Sequence, residues 1–99
     1  ESFAAAGNSI KTVILGDMFE LGEEAEKEHQ SITTLVDELP IHHSYFIGKH
    51  FYEASSKGYR FEQFEDFEAF LKTKEIPKGA VLIKGSRGMR LERVLDLLV

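Results

Sequence analysis

The sequence predicts an α/β domain, a three-layer and mostly parallel sheet with helices on both faces. Three observations predict it. Val13-Ile14-Leu15 and Ala80-Val81-Leu82-Ile83 are short continuous apolar runs, the pattern of strands buried on both faces. Segments with apolar residues at three- and four-residue spacing alternate with such runs. Glycine or proline punctuates the boundaries, at Gly16, Pro40, Gly48, Gly58 and Pro77-Lys78-Gly79. Strict alternation of strand and helix gives parallel strands joined by right-handed crossovers.

Each element follows from its residues. Glu1 to Ala6, with Gly7 behind them, reads as the last turns of a helix, and residues 1–9 are expected to be a truncated helix stub and turn. A helix that short is not stable alone, so the chain is expected to begin inside a longer protein. Ile10 to Leu15 is the first complete strand. Glu23, Glu24 and Glu26 load the first turn of a helix, where carboxylates meet the positive end of the dipole. Its buried stripe is Ala25, His29, Ile32, Val36 and Leu39, widened by Leu35, and Pro40 ends it. His43 to Ile47 is the second strand. Lys49 to Lys57 is a short helix burying Phe51 and Ala54. Tyr59 to Phe64 is the third strand, with Phe61 inward. Asp66 to Thr73 is a helix packing Phe67, Phe70 and Leu71, capped by Glu65 or Asp66. Ala80 to Ile83 is the fourth strand. Met89 to Leu98 is the last helix, with Leu91, Val94, Leu95 and Leu98 facing in. The expected strand order is 3-2-1-4. It puts the loops after strands one and four beside the crevice where the winding reverses, and open α/β sheets bind ligands there.

Length and composition narrow the function. Ninety-nine residues make one small domain, residues 1–99, with room for one core. A net charge of −5 argues against a nucleic-acid partner and against an anionic membrane surface. No apolar run approaches the roughly 18 residues of a membrane span. No signal peptide is visible. There is no cysteine, which excludes disulfides and thiolate metal sites and fits a cytoplasmic setting.

Two loops carry the candidate chemistry. The first runs from Gly16 through Asp17, Met18 and Glu20 to Gly22. Asp17 is placed to accept a hydrogen bond from a ligand amine or hydroxyl. The carboxylates here match no cation loop, so no metal site is expected. The second loop is Lys84-Gly85-Ser86-Arg87-Gly88. Free N–H groups at a helix start can bind an anion, Arg87 adds a bidentate grip on phosphate or carboxylate, and Ser86 is a good N-cap. The bland alternative is a tight turn with a solvated arginine. Neither a Walker A loop nor a dinucleotide fingerprint is present, and Ser86 lacks the spacing of a nucleophile elbow, which disfavours a Ser86–His29–Asp17 triad. His29, one turn into the first helix, is placed to reach back and support the first loop. His42, His43 and His50 show no metal spacing. Phe61, Phe64, Phe67 and Phe70 read as core.

At these loops the sequence resembles a known family. Leu15-Gly16-Asp17-Met18-Phe19-Glu20-Leu21-Gly22-Glu23-Glu24, with His29 after it, is similar to the L-G-D-M-x-E-L-G…H signature of the D-alanyl-D-alanine-adding (MurF-type) Mur ligases. Ile83-Lys84-Gly85-Ser86-Arg87-Gly88-Met89-Arg90-Leu91-Glu92 resembles their V-K-G-S-R-x-M-x-L-E segment. The match spans Ile10 to Leu98 and concerns the family's C-terminal domain. The N-terminal and central P-loop domains and the D-x-Y-N-A-N-P segment are not in this chain, and the resemblance implies that a first strand went with that segment. It implies an ATP- and Mg²⁺-dependent ligase of bacterial peptidoglycan synthesis, joining D-alanyl-D-alanine to UDP-N-acetylmuramoyl-tripeptide through an acyl phosphate. This domain would help bind the dipeptide and close over the ATP site. The missing domains would then be its partners. The chain alone is expected to bind no cofactor and to be inactive. Gly16, Asp17, Met18, Glu20, Lys84, Gly85, Ser86 and Arg87 are the candidate substrate or nucleotide contacts, with His29 as loop support and no catalytic residue in this chain. The competing reading is a stand-alone flavodoxin-like module that holds a small anion without catalysis.

Overall fold

The structure is a computed structural model that describes residues 10–18 and 23–97. The expectations for residues 1–9, Glu20 and Leu98 lie outside the described residues. Four strands form one parallel sheet in the order β3-β2-β1-β4: β1 Lys11–Gly16, β2 His43–Ile47, β3 Tyr59–Phe61 and β4 Ala80–Lys84. This is the order read from the sequence. Between them run α1 Ala25–Glu38, α2 Lys49–Glu53 and α3 Phe64–Leu71. After β4 come two 3₁₀ turns, Arg87–Met89 and Leu91–Arg93, and the short helix α4 Val94–Leu97.

β1 is the centre of the sheet. Thr12 pairs with His43 on one side and with Val81 on the other, and all six residues of β1 are buried. Successive side chains point to opposite faces. Val13 and Leu15 pack with Phe46, Val36 and Phe51, so α1 and α2 cover one face. Ile14 packs with Tyr45, Ile47, Phe64, Phe67, Leu91 and Val94, so α3 and the C-terminal turns cover the other. These are the two outer layers of a three-layer domain. Full burial of a side chain such as Phe46 or Phe67 stabilises the fold by roughly 1.5–3 kcal/mol.

Several boundaries differ from the sequence reading, each for a local reason. The buried stripe of α1 is Ala25, His29, Thr33 and Val36, while Leu35 is 47% exposed and does not widen it. Thr33 can go inside because its hydroxyl lies within hydrogen-bonding distance of the Ser55 carbonyl oxygen, 2.8 Å away. The helix closes as expected before Pro40, where the Leu39 N–H bonds back to the Leu35 and Val36 carbonyls. α2 stops at Glu53, four residues short of the expected end, yet Phe51 and Ala54 are buried as expected. β3 ends at Phe61, and Phe64 opens α3 instead of finishing the strand. The Asp66 carboxylate turns back to accept the Gln63 N–H at 3.3 Å, which sets the start of α3 at that point. β4 is half-buried rather than fully buried, with Leu82 39% exposed.

The largest correction is the last helix. The expected continuous element from Met89 is broken at Arg90, which adopts the left-handed conformation (φ 52°) between the two 3₁₀ turns. Arg93 holds this break. Its Nε donates to the Arg90 carbonyl at 2.9 Å and its Nη2 to the Met89 carbonyl at 2.8 Å. Its guanidinium lies 3.9 Å from the centre of the Phe64 ring. Leu91 and Val94 are buried as expected, but Leu95 is 58% exposed.

Candidate functional site

The loops after β1 and β4 lie side by side at the carboxyl ends of adjacent parallel strands. This is the position where open α/β sheets hold ligands. Two glycines let them touch. A Cβ on Gly85 would stand 3.1 Å from the Gly16 Cα and 2.9 Å from Leu91 Cδ1. Any larger residue at either position would push the loops apart or dislodge Leu91.

Asp17 stands at the junction. It is 2% exposed. Its N–H donates to the Ile47 carbonyl at 3.0 Å and its carbonyl accepts the Ser86 N–H at 3.1 Å. Its carboxylate accepts two more hydrogen bonds, from the His50 N–H to Oδ2 at 2.9 Å and from the Phe51 N–H to Oδ1 at 3.0 Å. The sequence reading placed this carboxylate toward a ligand amine or hydroxyl; the structure turns it inward, onto the first turn of α2. Gly48 makes the approach possible. Its φ is +128°, and a Cβ there would fall 2.3 Å from the Asp17 Cγ.

His29 supports the same loop from α1. It is fully buried, and its Nε2 accepts the Met18 N–H at 3.0 Å. Its Nδ1 is 2.5 Å from the Ala25 carbonyl oxygen, so the network assigns the proton to Nδ1. The ring packs against His50, centroids 4.9 Å apart, and edge-on to Phe51 at 4.5 Å. Asp17 Oδ1 is 3.8 Å from Nε2, beyond hydrogen-bonding distance. With both ring nitrogens committed to backbone atoms, His29 is not set up as a base for Ser86.

The second loop offers the accessible charge. Lys84 and Arg87 are exposed, and Gly85 and Ser86 are half-buried. Together with Ile83, Leu91, Leu95 and the acidic Glu92 they line an open groove of about 420 Å³. Ser86 does precede a helical turn, as expected of an N-cap, but that turn is three residues of 3₁₀ and receives no side-chain cap bond from it. The Ser86 N–H is already bonded to Asp17. The positive charge at this groove comes from the Lys84 and Arg87 side chains, not from a long helix dipole. Met18 is half-buried at the rim of the first loop.

Sequence reasoning missed Gly48, His50, Phe51 and Arg93. The first three act on Asp17 from more than thirty positions away, and only a glycine directly after the second buried strand hinted at them. Arg93 was read simply as part of a helix. Among the described residues no group of three or more His, Asp or Glu side chains could hold a metal ion, and no helix is long and apolar enough to cross a membrane.

Comparison with known proteins agrees with this geometry. No protein-family model matches the chain. The chain is 34% identical over 112 aligned positions to the UDP-N-acetylmuramoyl-tripeptide–D-alanyl-D-alanine ligase of Borreliella burgdorferi, an alignment that covers 97% of this chain and 24% of that protein. The crystal structure of MurF from Acinetobacter baumannii superposes with a TM-score of 0.78 at 26% identity, over 96% of this chain and 22% of that one. The MurF ligase of Thermotoga maritima, solved in complex with ADP, superposes with a TM-score of 0.70 at 28% identity, over 92% of this chain and 22% of its own. The chain thus spans about a quarter of the length of the relatives it matches. By sequence and by fold, the chain is similar to the C-terminal domain of the UDP-N-acetylmuramoyl-tripeptide–D-alanyl-D-alanine (MurF) ligases.

Proposed function

We propose that the chain serves as the C-terminal domain of an ATP-dependent ligase that joins D-alanyl-D-alanine to UDP-N-acetylmuramoyl-tripeptide in peptidoglycan precursor synthesis. One observation carries the reading: the Gly16–Met18 and Lys84–Arg87 loops meet at the switch point of the sheet, joined by the Ser86–Asp17 hydrogen bond. In this role the domain works in the cytoplasm with the N-terminal and central domains of the same enzyme as its partners. It contributes to dipeptide binding and closes over the ATP side of the active site.

The residues fit such a role in a specific way. ATP supplies the phosphoryl group that activates the tripeptide carboxylate. Lys84 and Arg87 are exposed cations over a partly apolar floor, suited to a phosphate or to the dipeptide carboxylate; a guanidinium can grip either with two parallel hydrogen bonds. Gly85 admits the close approach of Gly16 and Leu91 behind the groove, and Ser86 lies beside them. Gly16 and Met18 belong to the facing loop, and Glu20 follows them in the sequence. A Mg²⁺ ion would be held by the nucleotide and by residues outside those described here, since the described carboxylates do not converge. Closure of the loops over the reacting groups would exclude water from an activated carboxyl group. The chain alone would then catalyse nothing.

The test is Arg87→Ala in the complete ligase. Removal of a charge-assisted contact is expected to lower kcat/KM for the dipeptide or for ATP at least tenfold. Unchanged kinetics for both would remove Arg87 from the site. Tight phosphate binding by the 99-residue chain on its own would favour a stand-alone anion-binding module instead.

A further inference from the structure

We infer that Asp17 is a positioning residue that locks the loop after β1, the first turn of α2 and the loop after β4 into a single unit, so that the Lys84–Arg87 segment is aimed from beneath. Four bonds converge on this one residue. Its carboxylate takes the His50 and Phe51 N–H groups of the α2 turn, its N–H bonds to Ile47 at the end of β2, and its carbonyl accepts the Ser86 N–H. A carboxylate is required where two donors converge. An amide would offer one acceptor and turn its own N–H groups toward the second donor. The negative charge is buried beside a histidine whose facing nitrogen is an acceptor, so the two backbone N–H groups and the start of α2 supply its stabilisation. Side chain and peptide group hang on the same Cα, with two torsions between the carboxylate and the backbone. Asp17 is buried, so side-chain rotation has little room to absorb a shift of the carboxylate from α2, and such a shift is passed to the backbone whose carbonyl holds Ser86.

Met18 is tied down independently by His29, while Asp17 bonds both to α2 and to the second loop. The inference rests on the ligase reading for its catalytic consequence, but not for the mechanical coupling itself.

The experiment is amide hydrogen exchange on the full chain, wild type and Asp17→Asn. In the wild type the His50, Phe51 and Ser86 amides should exchange through one shared opening, with protection within about threefold of each other and the same dependence on denaturant. In Asp17→Asn all three should lose at least tenfold protection, while the Phe46 amide, in the sheet interior, changes little. A plain local cap would cost His50 and Phe51 their protection and leave Ser86 unchanged. That outcome, or a Ser86 amide that opens separately in the wild type, overturns the proposal. The wild-type measurement decides the matter even where the variant fails to fold. A kinetic arm in the complete ligase adds the functional readout: Asp17→Asn should raise KM for the ligand that Arg87→Ala also affects, with a smaller change in kcat. Coupled exchange with a silent Arg87→Ala would sink the assignment of the groove to the ligase reaction and leave the positioning role standing. Uncoupled exchange with a sensitive Arg87 would do the reverse.

Discussion

Gly48→Ala loads the Asp17 junction directly, and its cost can be worked out from the geometry. Two effects add. Alanine at φ +128° carries backbone strain of roughly 1–3 kcal/mol. Its Cβ would lie 2.3 Å from the Asp17 Cγ and 2.5 and 2.6 Å from the two carboxylate oxygens, so the carboxylate has to leave. It then gives up two hydrogen bonds to a charged acceptor, each worth about 1.5–3 kcal/mol. Restriction of the unfolded chain returns about 0.4–1 kcal/mol. The expected loss is roughly 3–9 kcal/mol, a large share of the ~5–15 kcal/mol that holds a domain together. Urea unfolding followed by circular dichroism measures it. A double-mutant cycle with Asp17→Ala separates the two effects. With the carboxylate gone, Gly48→Ala should cost only the backbone strain, roughly 1–3 kcal/mol. Equal costs in the two backgrounds, or a single-variant cost below about 1 kcal/mol, would refute the idea that Gly48 is glycine to admit Asp17.

Three other substitutions test separate parts of the structure. The Thr12 hydroxyl is buried with no hydrogen-bond partner, so Thr12→Val should raise stability by about 1 kcal/mol, read as a higher urea midpoint; a loss would mean the hydroxyl is satisfied. His29→Phe keeps the buried ring but orphans the Met18 N–H, and should destabilise by about 1–3 kcal/mol; a neutral result would show that the loop does not depend on the histidine. Arg93→Ala removes two hydrogen bonds to the Arg90 turn and the stack on Phe64, and should cost about 1.5–3 kcal/mol while loosening residues 87–93 in hydrogen exchange. Arg93→Lys should restore only part of that stability, because a single ammonium cannot reproduce the fork that spans the Met89 and Arg90 carbonyls.

The fold was legible where local pattern and tertiary role coincide. Val13-Ile14-Leu15 reads as a buried strand because it lies between two other strands with helices over both faces, and strict alternation of elements then left few strand orders. The last helix was not legible. Leu91, Val94 and Leu95 keep a helical spacing, but the break at Arg90 is imposed by Arg93 and Phe64 and by the insertion of Leu91 against Gly16 and Gly85. No local signal encodes that packing. Thr33 replaced Leu35 on the buried stripe for a similar reason, since its hydroxyl finds a carbonyl more than twenty residues away. The two candidate loops were legible as strand–glycine–loop junctions. The orientation of Asp17 was not, because its carboxylate answers to His50 and Phe51, which local sequence does not bring to it.

The register of β1 has a consequence for how the chain folds. β1 pairs with β2 about thirty positions later but with β4 roughly seventy positions later, so most of the chain must be collapsed before the second pairing closes. During synthesis, at about 5–20 residues per second, β1 therefore waits several seconds with one edge open. When β4 arrives it completes the sheet and brings Ser86 to Asp17 in the same step. The groove is thus assembled last and all at once, and a chain stopped before residue 80 would lack half of the site and expose a bare apolar strand edge to its neighbours.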